Sequence, residues 1–229
     1  MNPNDPNVLM IEAAVLSLRD LCERVVFVGG STTSLLITED SRPLARATQD
    51  VDVIIELASL QAYYELEKAL RSRGFRSDTE VTCRWHVGNL KFDVIPTRDV
   101  GLGFQNRWYP LAAKSAELRT LPSGASIRVV TPPYFIGTKL EAFYDRGNSD
   151  YGTSHDMEDI ISVVDGRAEL AREIAVADAE LRNYITEEFD DLLARPEFLD
   201  SLAWHLPGDA ANQSRLPELI RRLREIAGI

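Results

Sequence analysis

Residues 25–31 read VVFVGGS and residues 50–56 read DVDVIIE. These two runs constrain the fold more than any other part of the chain. The wholly apolar VVFV fits a short strand buried on both faces. Gly29 and Gly30 break it, and Ser31 or Thr32 is placed to cap a helix start through TTSLLI. The second run reads as the next strand. Side chains alternate along a strand, so Asp50 and Asp52 project together while Val51 and Val53 point to the opposite face. Two carboxylates side by side in apolar surroundings are costly unless they are neutralised. A positive group other than a side chain is expected beside them.

The remaining patterns alternate between helical and strand periods before turning wholly helical. Helical spacing covers 8–24 and 58–74, with Gly74 placed to end the second helix. The polar segment 39–49, with Pro43, is a loop. VTCRWHV (81–87) and LKFDVIP (90–96) form a hairpin through Gly88-Asn89. A turn-rich stretch follows from Thr97 to Pro110. A second hairpin spans 118–130 and turns at Pro122-Ser123-Gly124. After Pro132-Pro133 the chain reads as helix at 134–147, 155–166, 167–177, 178–194 and 216–228. The expectation is an α+β protein, with an α/β domain over 1–131 and a helical domain over 132–229. No flexible linker separates them, which predicts one packed unit or two closely packed lobes.

Composition narrows the class. The chain of 229 residues is 45% hydrophobic, and no apolar run reaches the roughly 20 residues that span a bilayer. MNPNDPN has neither the basic nor the apolar region of a secretory signal. Cys22 and Cys83 form no metal-type spacing, and Cys22, among Leu21, Val25 and Val26, reads as a core thiol. A cytoplasmic setting without membrane association is expected. The net charge of −11 argues against broad, non-specific nucleic-acid binding. It leaves a metal-dependent enzyme or an acidic binding protein.

A third carboxylate sharpens the first of these. Asp93 lies between Phe92 and Val94 on a later strand. Where that strand lies beside the Asp50–Asp52 strand, three carboxylates converge and repel one another unless a cation is bound. Hard oxygen ligands suit Mg²⁺, and two such ions form the clamp for in-line phosphoryl chemistry. Gly29, Gly30 and Ser31 supply the complement, a turn whose backbone can approach a phosphate closely. Lys139, read as near the start of its helix, would be satisfied there by an anion. Asp156 falls beside the N-terminus of the next helix, a favourable place for a carboxylate. His86, His155 and His205 read as structural, and Arg107-Trp108-Tyr109 reads as core packing more readily than as a base-stacking platform. Arg42, Arg46, Arg84, Lys91, Arg107, Lys114, Lys139 and Arg146 are the candidate basic surface for a polyanionic acceptor.

The set of a Gly-Ser turn, D-x-D and a third carboxylate on a later strand resembles the DNA polymerase β-like nucleotidyltransferase superfamily. The order Lys139-Leu140-x-Ala142, Arg146 and Asp156-x-x-Asp159-Ile160 is similar to the second half of the AbiEii-type nucleotidyltransferase toxins. The gap between Gly-Ser and D-x-D is longer here than is usual in that superfamily, and the excess falls in the loop around 39–49. The resemblance covers about residues 25–165. It implies a mixed β-sheet with flanking helices, followed by a helical lobe that completes the active-site cleft. It further implies an NTP substrate, with Gly29, Gly30 and Ser31 at the phosphates and Asp50 and Asp52 at Mg²⁺. Asp93 would be a third metal ligand or would support the ligands. Lys139 would contact the triphosphate, Asp156 would be the essential carboxylate of the last motif, and Asp159 would orient its neighbours. The acceptor would be tRNA or a protein, as for a toxin with a cognate antitoxin. The alternatives are a small-molecule, aminoglycoside-like acceptor, or an inactive binding protein of the same fold.

Overall fold

The computed structural model describes residues 1–103, 106–146 and 150–229. Phe104 and Gln105 of the turn-rich stretch, and Gly147 at the end of the 134–147 helical pattern, lie outside the described residues. The chain forms two compact units, one of Met1–Leu35 with Arg46–Thr131, the other of Leu36–Ala45 with Pro132–Ile229.

The first unit opens with helix α1 (Pro6–Leu18). Its N-cap Asp5 accepts from the backbone N–H groups of Asn7 and Val8. The helix gives way to a 3-10 turn over Arg19–Arg24, so the sequence pattern over 8–24 is split in two. Strand β1 (Val25–Val28) follows, buried throughout. Beyond it, Gly30–Thr32 form a 3-10 turn leading into the short helix α2 (Thr33–Leu36), whose last residue falls in the second unit. Strand β2 is Val51–Ile55 and helix α3 is Leu60–Ser72, the latter capped by Ser59. Then come β3 (Arg76–Ser77), β4 (Arg84–Val87) and β5 (Leu90–Pro96). The expected strand over 81–87 begins only at Arg84, because Cys83 takes a left-handed backbone, φ 64°, and breaks the pleat before it. Helix α4 (Tyr109–Ser115) and the hairpin of β6 (Glu117–Thr120) and β7 (Ser126–Val129) complete this unit.

The seven strands make one mixed sheet in the order β3-β4-β5-β2-β1-β7-β6. The central pairs decide where the site forms. β1 and β2 are antiparallel, with Val28 opposite Asp52. β2 and β5 are parallel, with Asp52 beside Asp93. β4 and β5 are antiparallel, with Arg84 beside Asp93. Arg84, Asp93, Asp52 and Val28 thus form one lateral row across four strands. Val25, Val26, Phe27, Val51, Val53, Ile54, Phe92 and Val94 are all buried and form the core of this sheet.

The second unit is helical. It contains α5 (Pro132–Arg146), α6 (His155–Gly166), α7 (Leu170–Ala175), α8 (Ala179–Leu193), α9 (Pro196–Ser201), α10 (Ala210–Gln213) and α11 (Leu216–Ala227). α5 packs on α6, α7 and α8, and α11 packs on α6, α7 and α8. Their apolar faces bury Phe135, Leu140, Ile160, Val164, Leu181, Ile185, Phe189, Leu219 and Leu223. Among the described residues, no helix is long and apolar enough to cross a membrane.

Candidate functional site

The Gly29–Ser31 turn and the D-x-D strand meet within the first unit. Gly29 has φ 70°, a left-handed conformation that favours glycine. A Cβ built there would run into the Asp52 carboxylate, so glycine is what lets the turn lie against Asp52. Ser31 makes no cap hydrogen bond. Its Oγ is buried and has no hydrogen-bond partner among the described residues. Thr32 Oγ1 instead donates back to the Gly29 carbonyl at 2.8 Å. The expected capping role of Ser31 or Thr32 is therefore corrected: Thr32 tightens the turn, and Ser31 presents a hydroxyl without a protein acceptor.

The approach to β2 is pinned by a residue that sequence reasoning did not single out. Asn7, fully buried on α1, donates from Nδ2 to the Arg46 carbonyl at 2.8 Å and accepts from the Thr48 N–H at 2.9 Å. Thr48 Oγ1 donates to the Asp50 carbonyl at 3.1 Å. The chain thus enters β2 with Asp50 held at its mouth.

A side chain, Arg84, stands beside two of the three carboxylates, a partner that the sequence did not reveal. Arg84 donates from Nε to Asp93 Oδ1 and from Nη2 to Asp93 Oδ2, both at 2.8 Å. The same Nη2 donates to Asp50 Oδ2 at 3.1 Å. The Asp93 hydrogen bonds, and then the charges of Asp93, Asp50 and Asp52, outweigh burial and raise the Arg84 pKa further above its ordinary value. One guanidinium therefore gathers the field of all three aspartates. Sequence reasoning placed Arg84 only in a basic strip. The signal that pairs it with Asp93 was present: a two-residue Gly88-Asn89 loop pairs Val87 with Leu90, and counting back gives Arg84 with Asp93.

The second unit brings Lys139, Asp156 and Asp159 together. Lys139 Nζ donates to Asp159 Oδ2 at 2.6 Å and to Asp156 Oδ1 at 3.0 Å. Arg146 Nη2 donates to the other Asp156 oxygen at 2.8 Å. Lys139 lies in the middle of α5, not near its start, and it is satisfied by carboxylates. Burial alone would lower its pKa, but Asp159 and Asp156 outweigh burial and raise it. Asp156 sits in the first turn of α6, whose N-cap Ser154 accepts from the Met157 N–H. Asp159, one turn on and only 1% exposed, is the inner anchor of Lys139.

Each of the three histidines meets a partner within the protein. His205 donates from Nε2 to the Tyr151 carbonyl at 2.7 Å, a partner that the sequence did not reveal. His86 meets Asp78 at 2.7 Å, and His155 lies near Glu158. Trp108 is buried with the Arg107 guanidinium over its ring at 4.9 Å, which is core packing. Cys22 and Cys83 are buried free thiols.

No protein-family model matches the chain, and no curated protein matches it in sequence. Among solved structures it is similar to an antigenic nucleotidyltransferase-like protein from Paracoccidioides brasiliensis. The two share 20% identity over 87% of this chain and 93% of that one, with a TM-score of 0.52. Two further structures superpose less closely. The antibiotic-resistance factor ANT(2'')-Ia gives 15% identity, TM-score 0.48, over 82% of this chain and 95% of that one. JHP933 from Helicobacter pylori gives 13% identity, TM-score 0.48, over 96% and 90%. The chain has a nucleotidyltransferase-like fold of mixed α+β architecture with a helical C-terminal part.

Proposed function

We propose that this chain is a metal-dependent nucleotidyltransferase that moves a nucleoside monophosphate from an NTP to an acceptor hydroxyl. The observation that carries this reading is the close packing of the Gly29–Ser31 turn on Asp52, in a row with Asp93 on a nucleotidyltransferase-like fold. The residues fit a divalent metal. Asp50 and Asp52 offer hard oxygen donors beside Asp93. Asp50 and Asp52 would hold Mg²⁺, with a second ion brought by the triphosphate. Bound there, Mg²⁺ supplies Lewis-acid stabilisation of the charge that grows on the α-phosphate and its leaving group.

The chain's own groups do the rest. Gly29 and Gly30 bring backbone up to the phosphates, and the buried Ser31 hydroxyl donates to a phosphate oxygen. The roles that the resemblance assigns to Lys139, at the triphosphate, and to Asp156, at the acceptor, belong to this proposal. Lys139 and Asp159 hold Asp156 from the inner side. Arg146, with its side chain 69% exposed, covers the other Asp156 oxygen and is the partner most readily exchanged. An acceptor hydroxyl that gives its proton to that oxygen would take the place of Arg146.

The acceptor separates two readings, a toxin acting on tRNA or protein and an enzyme acting on a small molecule. The ion pairs favour the small molecule. Arg42, Arg84, Lys139 and Arg146, half of the expected basic surface, are each engaged by carboxylates. With a net charge of −11, a cationic, hydroxyl-rich acceptor of the aminoglycoside kind suits the chain better than a polyanion. The test is incubation with each α-³²P-labelled NTP and Mg²⁺, with total RNA or a panel of aminoglycosides, beside the Asp52→Asn variant. Label on a small molecule, lost in the variant and with EDTA, is expected. Label on a tRNA-sized band would establish the toxin-type acceptor instead. No label on RNA, protein or small molecule would overturn the enzyme reading.

A further inference from the structure

Arg84 stands unequally on its two neighbours. Its fork takes both oxygens of Asp93 at 2.8 Å, the planar bidentate geometry in which arginine and carboxylate bind most strongly. Asp50 receives one bond, at 3.1 Å, from a nitrogen already shared with Asp93. A metal ligand must turn a lone pair to the metal. On Asp93 a metal would have to share each oxygen with the guanidinium, whereas Asp50 gives Arg84 only Oδ2 and has Oδ1 clear of it. Arg84 keeps its proton at any ordinary pH, so it remains a fixed positive charge at the site.

Resting on the reading that Asp50 and Asp52 hold a divalent metal, we propose that Arg84 is the resident counter-ion of this pair and that Asp93 is its holder, not a metal ligand. Metal entry exchanges the Arg84–Asp50 bond for a metal–Asp50 bond while Arg84 stays on Asp93. The empty pair is thereby neutralised in part and kept from collapse onto a stray cation. A monovalent ion gains little by displacing a guanidinium, whereas a divalent ion gains a full extra charge. Asp93 is a positioning residue, and its effect on metal passes through Arg84.

The experiment is a Mn²⁺ titration of the full chain, following free Mn²⁺ by its EPR signal. Wild type, Asp52→Asn, Arg84→Met, Asp93→Asn and the Arg84→Met/Asp93→Asn double variant are compared, each checked for folding by thermal unfolding. Arg84→Met should bind Mn²⁺ about tenfold tighter, since a competing unit charge is gone. Asp93→Asn should bind about tenfold weaker, since the released guanidinium settles on Asp50 and Asp52. The double variant should bind about as tightly as Arg84→Met, because without Arg84 there is no guanidinium for Asp93 to hold. A double variant about tenfold weaker than Arg84→Met would make Asp93 a ligand and overturn the proposal, as would Arg84→Met binding no tighter than wild type. Failure of the metal reading itself looks different: Mn²⁺ binding that Asp52→Asn leaves unchanged, or no binding in any variant. Should Arg84→Met not fold, Arg84→Gln, which removes the charge but keeps a hydrogen-bond donor toward Asp93, must still bind Mn²⁺ tighter than wild type.

Discussion

Lys139 is a cation held by two carboxylates inside the helical unit, and its removal strands both. Asp159 is 1% exposed and Asp156 is 9% exposed. Breaking a buried pair on one side leaves an uncompensated charge and costs about 3–5 kcal/mol. Lys139→Met should lower the unfolding free energy by about that amount in a urea titration near neutral pH, whereas a loss below about 1 kcal/mol would show the pair to be solvated. The pH dependence follows from the direction of the shift. Burial pushes the Lys139 pKa down, but Asp159 and Asp156 more than offset it and leave the folded value above the ordinary 10.5. A raised folded pKa gives stability that is fully present below the unfolded pKa and is lost as pH climbs through the folded one. The gap between wild type and Lys139→Met should therefore stay constant from about pH 6 to about pH 9 and close only above that range. The sequence singled out Lys139 and Asp156 but did not show that they pair. Lys139 and Asp156 are 17 residues apart on different helices, and spacing within one helix says nothing about what packs across to it.

At the scale of elements, what the sequence made legible was whatever depends on local period and turn chemistry. β1 ends at Gly29, the two hairpins turn at Gly88 and Gly124, and β2 follows a polar loop, and all lie within a few residues of their expected places. Helix α4 was not legible. Gly101, Gly103, Asn106 and Pro110 crowd its approach, and its seven residues complete barely two turns, too short a run for an amphipathic pattern. The parallel pairing of β2 with β5 was not legible either, because it joins strands separated by α3 and a hairpin. Yet that pairing, more than any motif, sets Asp93 beside Asp52. The end of β1 carries a prediction at this scale. Gly29→Ala adds a Cβ that meets the Asp52 carboxylate at a backbone φ of 70°. It should cost about 1–3 kcal/mol of stability from strain. It should also abolish transfer, because Asp52 or the turn must move. A variant that unfolds earlier in a thermal scan yet keeps full nucleotidyl transfer would show that the contact between turn and aspartate is not part of the site.

At the scale of the whole molecule, the boundary that the sequence drew at residue 132 leaves out a piece of the helical unit. Leu36–Ala45 belongs with Pro132–Ile229, so the chain passes between the two units three times, near residues 35, 45 and 131. Composition hides this, because a polar segment with a proline reads as a loop wherever it packs. The segment does a specific job. The N–H groups of Thr38 and Glu39 both donate to the Gly166 carbonyl at the end of α6. The Leu36 carbonyl accepts from Arg167 at 2.8 Å, and Glu39 meets Arg222 of α11 at 2.6 Å. Ile37 packs so closely on Gly166 that a Cβ there would strike it. Arg167 and Arg222 are 8% and 9% exposed, so without this segment two buried guanidiniums lose hydrogen-bond partners, at about 1–3 kcal/mol each. That total is a large share of the stability of a small domain. A fragment of residues 132–229 should therefore lack a cooperative thermal transition by circular dichroism. The same fragment preceded by residues 36–45 through a flexible linker should recover one. A cooperative transition in the short fragment at an unchanged midpoint would mean that the helical unit folds without the loop, and that the loop is only draped upon it.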